Sequence, residues 1–300
     1  MPRIALASDA FDWHARTITH ALRTLGAEVV RLRLPAATFA TGSRYGLDLP
    51  GFDGALPDAV LVRAIAAGTF EAVTRRLGVL HALRECGVPV WNDARAIERC
   101  VDKSMTSFLL AQAGVATPPT WTVEGLAQAR AVVAAEAGAA GLVLKPLFGS
   151  QGKGLRLIAR PDDLPAEEAV GAVYYLQRYV PPADGAFRDH RLFVVAGEVI
   201  AAMSRRGTSW VTNIRQGGAP EPLVPDRGMI ELALRAAACV GADYAGVDLL
   251  RERAGALMVL EVNSMPAWQG LQQVTDVNVA LRLAAALLAR LRWPAPTRPR

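Results

Sequence analysis

Glu261 and Asn263 stand two positions apart in ALMVLEVNSMP, residues 256–266. Successive residues on a strand point to opposite faces, so this spacing puts the carboxylate and the amide on one face and Leu260 and Val262 on the other. Asp248 lies in a second strand-like run, 244–250, and can add a third oxygen from a neighbouring strand. Oxygen donors side by side suit a hard cation such as Mg²⁺. Taken alone, the segment is explained more simply by a buried acid with a local hydrogen bond at a strand end, since so short a pattern is not specific.

A second stretch with chemical content is KPLFGSQGKG, 145–154, a strand-terminal lysine followed by Gly149, Gly152 and Gly154. Glycines let backbone N–H groups approach phosphate oxygens, and Lys145 adds a full positive charge. It is not a Walker loop, because the LRLI that follows alternates like a strand instead of opening a helix. A hairpin flap over a phosphate and a plain Gly-rich surface hairpin both fit. LQRYV, 176–180, stops at Pro181-Pro182 and could serve as a hinge whose backbone pairs with the edge of a base. Arg191, Arg205, Asn213 and Arg215 fall on or near successive expected strands, where guanidinium forks could converge on a carboxylate or phosphoryl group or simply form a solvated basic face. His14, His20, His81 and His190 show no zinc spacing, and no GxSxG elbow or cysteine nucleophile motif is present, which argues against an acyl-enzyme.

The elements that must position these groups are legible in outline. Strand, helix and strand at 3–8, 14–25 and 28–34 open a parallel α/β layer. A Gly- and Pro-rich excursion (35–57) separates them from a strand at 59–63, a helix at 69–85 and a short strand at 88–91. Helices follow at 93–100, 103–113 and 125–137, with strands at 120–123, 142–145, 155–158 and 174–178. From Pro181 an antiparallel sheet is expected, with strands at 191–195, 198–204, 210–214 and the two carrying Asp248 and Glu261, plus helices at 228–240 and 281–291. The chain of 300 residues, 52% of them hydrophobic, can bury more than one core. Its apolar runs are broken before the ~20 residues a membrane span needs, and no signal-peptide pattern opens it, so a cytoplasmic protein without membrane association is expected. Cys86, Cys100 and Cys239 are too scattered for a zinc site. The net charge of +5 has no basic block behind it, so a nucleic-acid partner is not expected, and an anionic small-molecule substrate fits the charge equally well.

Taken together, VDKSMTSFLLAQAGVATPPT, LVLKPLFGSQGKGL, YLQRYV, DHRLFVV, WVTNIRQGG and AGVDLL with LEVNSMP resemble, in order, the ATP-grasp superfamily, and within it the RimK-like α-L-glutamate ligases. The resemblance spans roughly residues 90–275. It implies an α/β (α+β) ATP-grasp fold: an N-terminal Rossmann-like domain (1–92), two subdomains clasping ATP (93–173 and 174–292) and a frayed tail (293–300).

The resemblance also implies roles. Lys103 and Lys145 match the pair that holds ATP phosphates, beneath a flap containing Ser150, Gln151 and Gly152. Gln177, Arg178, Tyr179 and Val180 match the adenine hinge, Asp189 a nucleotide-contacting acid, and Asn213 a nucleotide- and substrate-facing strand. Asp248, Glu261 and Asn263 match the Mg²⁺ ligands, with Mn²⁺ as a substitute. Arg191 and Arg205 match positions at the transferred phosphoryl group. Val211, Arg178, His190 and the Met265–Trp268 segment depart from the pattern, and Arg215 and Trp268 are expected to shape the acceptor site. The implied activity is ATP-dependent ligation of an amino acid, L-glutamate foremost, to a small-molecule carboxylate of the pterin or furan cofactor-precursor type. Modification of a protein or peptide C-terminus, and a silent ATP-binding regulator, are the alternatives. Family members are often dimers or tetramers, so a homo-oligomer is expected.

Overall fold

The computed structural model describes residues 1–149, 152–182, 185–253 and 255–292. Strand β1 (Arg3–Ala7), helix α1 (Trp13–Thr24) and β2 (Glu28–Leu32) begin a parallel sheet; β3 (Thr38–Phe39) and β4 (Leu47–Asp48) form a small hairpin in the excursion, and β5 (Ala59–Val62), α2 (Phe70–Glu85) and β6 (Val90–Trp91) complete the layer in the order β2-β1-β5-β6. β1 and β5 are continuous apolar runs because helices cover the layer, leaving Ile4–Ala7 and Ala59–Val62 fully buried. Asp12 caps α1 by accepting from Ala15 N–H at 2.9 Å.

Helices α3 (Ala94–Val101) and α4 (Lys103–Gln112) come next, followed by β7 (Thr120–Glu124), α5 (Leu126–Glu136), β8 (Leu142–Lys145), β9 (Arg156–Ile158) and β10 (Val173–Arg178). These four strands make an antiparallel sheet, β7-β10-β8-β9, with a core of Ala129, Val133, Leu142, Leu144, Tyr174 and Leu176 under α5. Within residues 93–115, Cys100, Leu110 and Val115 sit in the core of the next sheet, while α4 also packs against β7.

That sheet contains β11 (Arg188–Val195), β12 (Glu198–Arg206), β13 (Ala219–Pro222), β14 (Tyr244–Arg251) and β15 (Leu257–Asn263), with helices α6 (Arg227–Val240), α7 (Gln269–Gln272) and α8 (Val279–Arg292), in the order β13-β12-β11-β14-β15. Both faces are covered. Leu192 and Val194 pack toward α6, while Phe193 and Val195 join α1, α8 and Trp268 in a core shared with the N-terminal layer. Asn92 ties that junction: its amide donates to Tyr244 O and Ser264 O and accepts from Asp243 N–H.

The strand expected at 210–214 is absent. Those residues form a loop leading into a 3₁₀ turn, Ile214–Gln216, and the edge strand is Ala219–Pro222 instead. Gly218 lies so close to Thr212 that a Cβ there would collide with its carbonyl, and the two prolines of β13 are tolerated because it is an edge. No helix among the described residues is long and apolar enough to cross a membrane.

Candidate active site

A cleft of about 1060 Å³, its open mouth included, lies between the two antiparallel sheets and is lined by both. The central sheet contributes Lys145 and the flap, the segment 177–180 forms the back, and the larger sheet contributes Asp189, Arg205, Asp248 and Glu261. Val143, Leu155, Leu250 and Leu260 give it apolar walls, and the rings of Tyr179 and Trp210 meet edge to face at 6.1 Å near the hinge. An apolar slot beside a charged floor can take a base at one end and phosphates at the other.

Lys145 ends β8 and is fixed by Gln177, whose Oε1 accepts from Nζ at 2.7 Å. Gln177 Nε2 in turn faces the hydroxyls of Tyr175 and Thr120. Its side chain is therefore buried and holds the lysine, and is not free to meet a ligand in the cleft. Burial pushes the Lys145 ammonium down to about 8, with Glu261 opposing and Lys103 adding to the drop. Phosphates would favour the charged form, so nucleotide affinity is expected to fall as pH rises above about 8, by up to ~tenfold per unit for one proton taken up. A titration of ATP affinity from pH 7 to 10 checks this. Lys103 opens α4 after the cap Asp102, and its Nζ donates to Leu147 O at 3.2 Å and Gly149 O at 2.8 Å. It thus holds the base of the flap.

On the larger sheet, Asp248 on β14 and Glu261 on β15 are direct cross-strand partners, as are Gly246 and Asn263, so all three oxygen-bearing side chains share one face. The register slips between Asp248 and Leu249, leaving Leu260 unpaired as a bulge. Leu260 consequently lines the cleft beside Glu261, contrary to strict alternation, while Val262 is buried on the far side. Arg191 grips Asp248 with Nε and Nη2, both at 2.7 Å, and Arg205 reaches it at 2.9 Å. Arg205 is also bidentate to Asp189, at 2.6 and 2.5 Å, and Thr212 Oγ1 donates to the same carboxylate. Burial by itself would raise the Asp248 carboxyl, but the two guanidinium groups outweigh it and hold it below the usual range.

The remaining expected site residues separate into those at the cleft and those away from it. Gly152 packs on the Asn213 amide, where any Cβ would collide, so the flap and the Trp210–Asn213 loop meet over the cleft. Tyr179 and Val180 line its back. The Arg178 side chain turns away to Glu136 at 3.0 Å and lies over Trp121, leaving only its backbone at the hinge. Arg215 is exposed on the 3₁₀ turn. Trp268 does not shape an open pocket: it is fully buried against Phe193 and His14. Ser150 and Gln151 lie outside the described residues. Trp210, Thr212 and Tyr175 join the site beyond the expected residues; the first two lie inside the WVTN segment, which marks the place but not the contacts.

The donor set fits a hard divalent cation. Glu261 and Asp248 bring carboxylates, the second already gripped by Arg191 and Arg205 through both oxygens, and Asn263 directs its N–H toward Gly246 O at 3.5 Å, leaving its oxygen for a ligand. Mg²⁺ is commonly held by one or two carboxylates together with substrate phosphates.

Comparison with known proteins places this geometry in a family context. The family model described as "RimK-like ATP-grasp domain" matches residues 100–287. A tetrahydromethanopterin:alpha-L-glutamate ligase from Methanococcus maripaludis is 38% identical over 202 residues, 65% of this chain and 68% of that protein. A probable alpha-L-glutamate ligase from Trichodesmium erythraeum is 32% identical over 287 residues, 92% of each. The solved structure of the ATP-grasp ligase PsnB complexed with minimal precursor superposes with a TM-score of 0.76 at 24% identity, covering 97% of this chain and 99% of that one, a likeness of fold.

Proposed function

This chain belongs to the RimK-like ATP-grasp family and is an ATP-dependent ligase that uses a divalent metal, and from that premise we propose that it joins the amine of L-glutamate to a carboxylate of a pterin- or furan-type cofactor precursor, with Mg²⁺ as the metal. The observation that carries the reading is the convergence on one cleft of Lys103 and Lys145 from one side and Arg205, Asp248 and Glu261 from the other. The names of the relatives support glutamate as the amine and a pterin-type acceptor.

A carboxylate is a poor acylating agent, so its oxygen first attacks the γ-phosphorus of ATP; ADP leaves and an acyl phosphate forms. Lys145 and Lys103 hold the phosphates, Arg191 and Arg205 face the transferring group, and the flap resting on Asn213 keeps water out. Asp248, Glu261 and Asn263 would hold the metal, which when bound neutralises charge on phosphate oxygens. The amine of glutamate then attacks the acyl carbon, phosphate departs, and the nitrogen gives up its proton. The developing oxyanion lies in a site rich in fixed positive charge. No side-chain nucleophile is required.

Incubation with ATP, Mg²⁺, L-glutamate and a panel of pterin and furan carboxylates is expected to release ADP only when glutamate and one acceptor are both present. ADP release that never depends on glutamate would refute the assignment.

A further inference from the structure

The N-terminal layer meets the loop that follows the Glu261 strand through Arg63, whose Nη1 lies 3.4 Å from Met265 O. β2 lies on one side of β1 and β5 on the other, so the strand order reverses between β1 and β5, the point in such layers where ligands enter beyond the carboxyl ends of the strands. Asp9 and Asp12 follow β1, and Arg63 follows β5 directly.

Arg63 is 8% exposed and poorly satisfied. Its Nη2 lies 3.4 Å from Asp12 Oδ2 and its Nη1 3.4 Å from Met265 O, both at the long limit, and its Nε has no partner. The guanidinium lies over the ring of Trp268, whose indole N–H is also buried without an acceptor. Two of the three buried side-chain polar atoms without a partner among the described residues, Arg63 Nε and Trp268 Nε1, therefore meet at this junction; the third, Asp9 Oδ1, lies on the loop after β1, where its other oxygen accepts from Ala66 N–H. Buried charges with unmet donors are rare in folded proteins and call for a ligand or a role.

The junction adjoins the phosphoryl centre without being part of it. Arg63 holds Met265 O, while Arg191, which grips Asp248, lies 3.4 Å from Ala267 O on the same short loop. Arg215 is near enough to add its positive charge to that of Arg63 around His14, whose imidazole is held low first by burial and then by these two arginines.

We infer that Arg63 forms the subsite for a carboxylate of the incoming amino acid, holding it beside the loop 265–267 while the amine reaches toward the acyl phosphate near Arg191. Arg63 meets that loop at Met265 O, whereas Arg191, which holds Asp248, meets it at Ala267 O, so a carboxylate at Arg63 is assigned to the amine component and not to the acid that is phosphorylated. A planar fork with an unmet Nε is suited to a carboxylate edge. This rests on the ligase reading above.

Calorimetric titration of the full chain, with a non-hydrolysable ATP analogue and Mg²⁺ but no acceptor, tests it with three probes: L-glutamate, L-isoglutamine and L-glutamine. One of the two amides is expected to bind the unaltered protein at least ~10-fold more weakly than glutamate. In Arg63→Ala, glutamate should lose about 10- to 100-fold in affinity, the discrimination against that amide should nearly vanish, and affinity for the ATP analogue should stay unchanged. Arg63→Lys, which keeps the charge and loses the fork, should fall between; it decides the matter if the alanine variant does not fold. Undiminished glutamate affinity and discrimination in the folded variant would overturn the inference alone. An unaltered protein that binds the ATP analogue but not glutamate would remove the glutamate reading and this inference with it.

Discussion

Glu261→Ala is expected to lower kcat/KM by on the order of 10³-fold or more, about 4 kcal/mol of transition-state stabilisation, with the fold intact. The structural reason is position. Glu261 is paired across strands with Asp248, next to the Leu260 bulge that turns both side chains into the cleft, and its charge opposes the burial of Lys103 and Lys145. Its partial exposure means that little packing is lost on truncation. Removing its charge should also drive the Lys145 titration further below about 8, so the variant's residual nucleotide binding should weaken at a lower pH. Steady-state kinetics beside thermal unfolding separate the two effects: a loss of activity accompanied by collapse of the fold would point to structure, and near-normal turnover would remove Glu261 from the chemistry.

Arg205→Ala is expected to cost stability as well as turnover. Arg205 is 2% exposed and bridges Asp189 to Asp248, so its loss leaves two buried carboxylates without their shared cation. Breaking such an arrangement typically destabilises by about 3–5 kcal/mol, roughly 10 °C in Tm for a chain of this size. The pH dependence has a definite sign. Asp248 is held below its ordinary value in the folded protein, so this contribution is present above the unfolded carboxylate range and is lost as pH falls through the lowered folded value. The gap between parent and variant should therefore be full at neutral pH and shrink on acidification, because protonated carboxyls no longer repel. Denaturant unfolding at pH 7 and pH 3, below the unfolded carboxylate range, measures it. An equal gap at both values would contradict the electrostatic account.

Much of the framework could be read from the chain because the signals were local. Gly26, Cys86-Gly87 and Asp93 mark element ends, and LFVV is a buried run whose neighbours cover both faces, while LVLK turns Leu142 and Leu144 to α5 and Val143 and Lys145 to the cleft. The ordered motifs, more than any single spacing, brought Lys145 and Glu261 into one picture. The remainder depended on partners distant in sequence. Strict alternation put Leu260 opposite Glu261, but the bulge arises from pairing with β14 and turns it inward. The strand expected at 210–214 gave way to a loop because Thr212 is drawn to Asp189 and Gly218 packs on its carbonyl. Trp268, expected to shape the acceptor site, is buried by α1 and β11. Arg63 sits in the unremarkable run AVLVRAI; only the meeting of β5 with the loop at 265–268 makes its unmet Nε visible. In the same way α3 and α4 attach to the larger sheet through Cys100 and Leu110, a choice that a helical pattern cannot express.

The most direct measurement of the central claim follows an oxygen atom. With the acceptor that supports turnover labelled with ¹⁸O in its carboxylate, transfer of the γ-phosphoryl group to that carboxylate requires one labelled oxygen to leave with the phosphate. One ¹⁸O is expected in each phosphate released, dependent on glutamate. Phosphate free of label, with amide product still forming, would contradict an acyl phosphate and the part assigned to the lysine, arginine and carboxylate groups of the cleft.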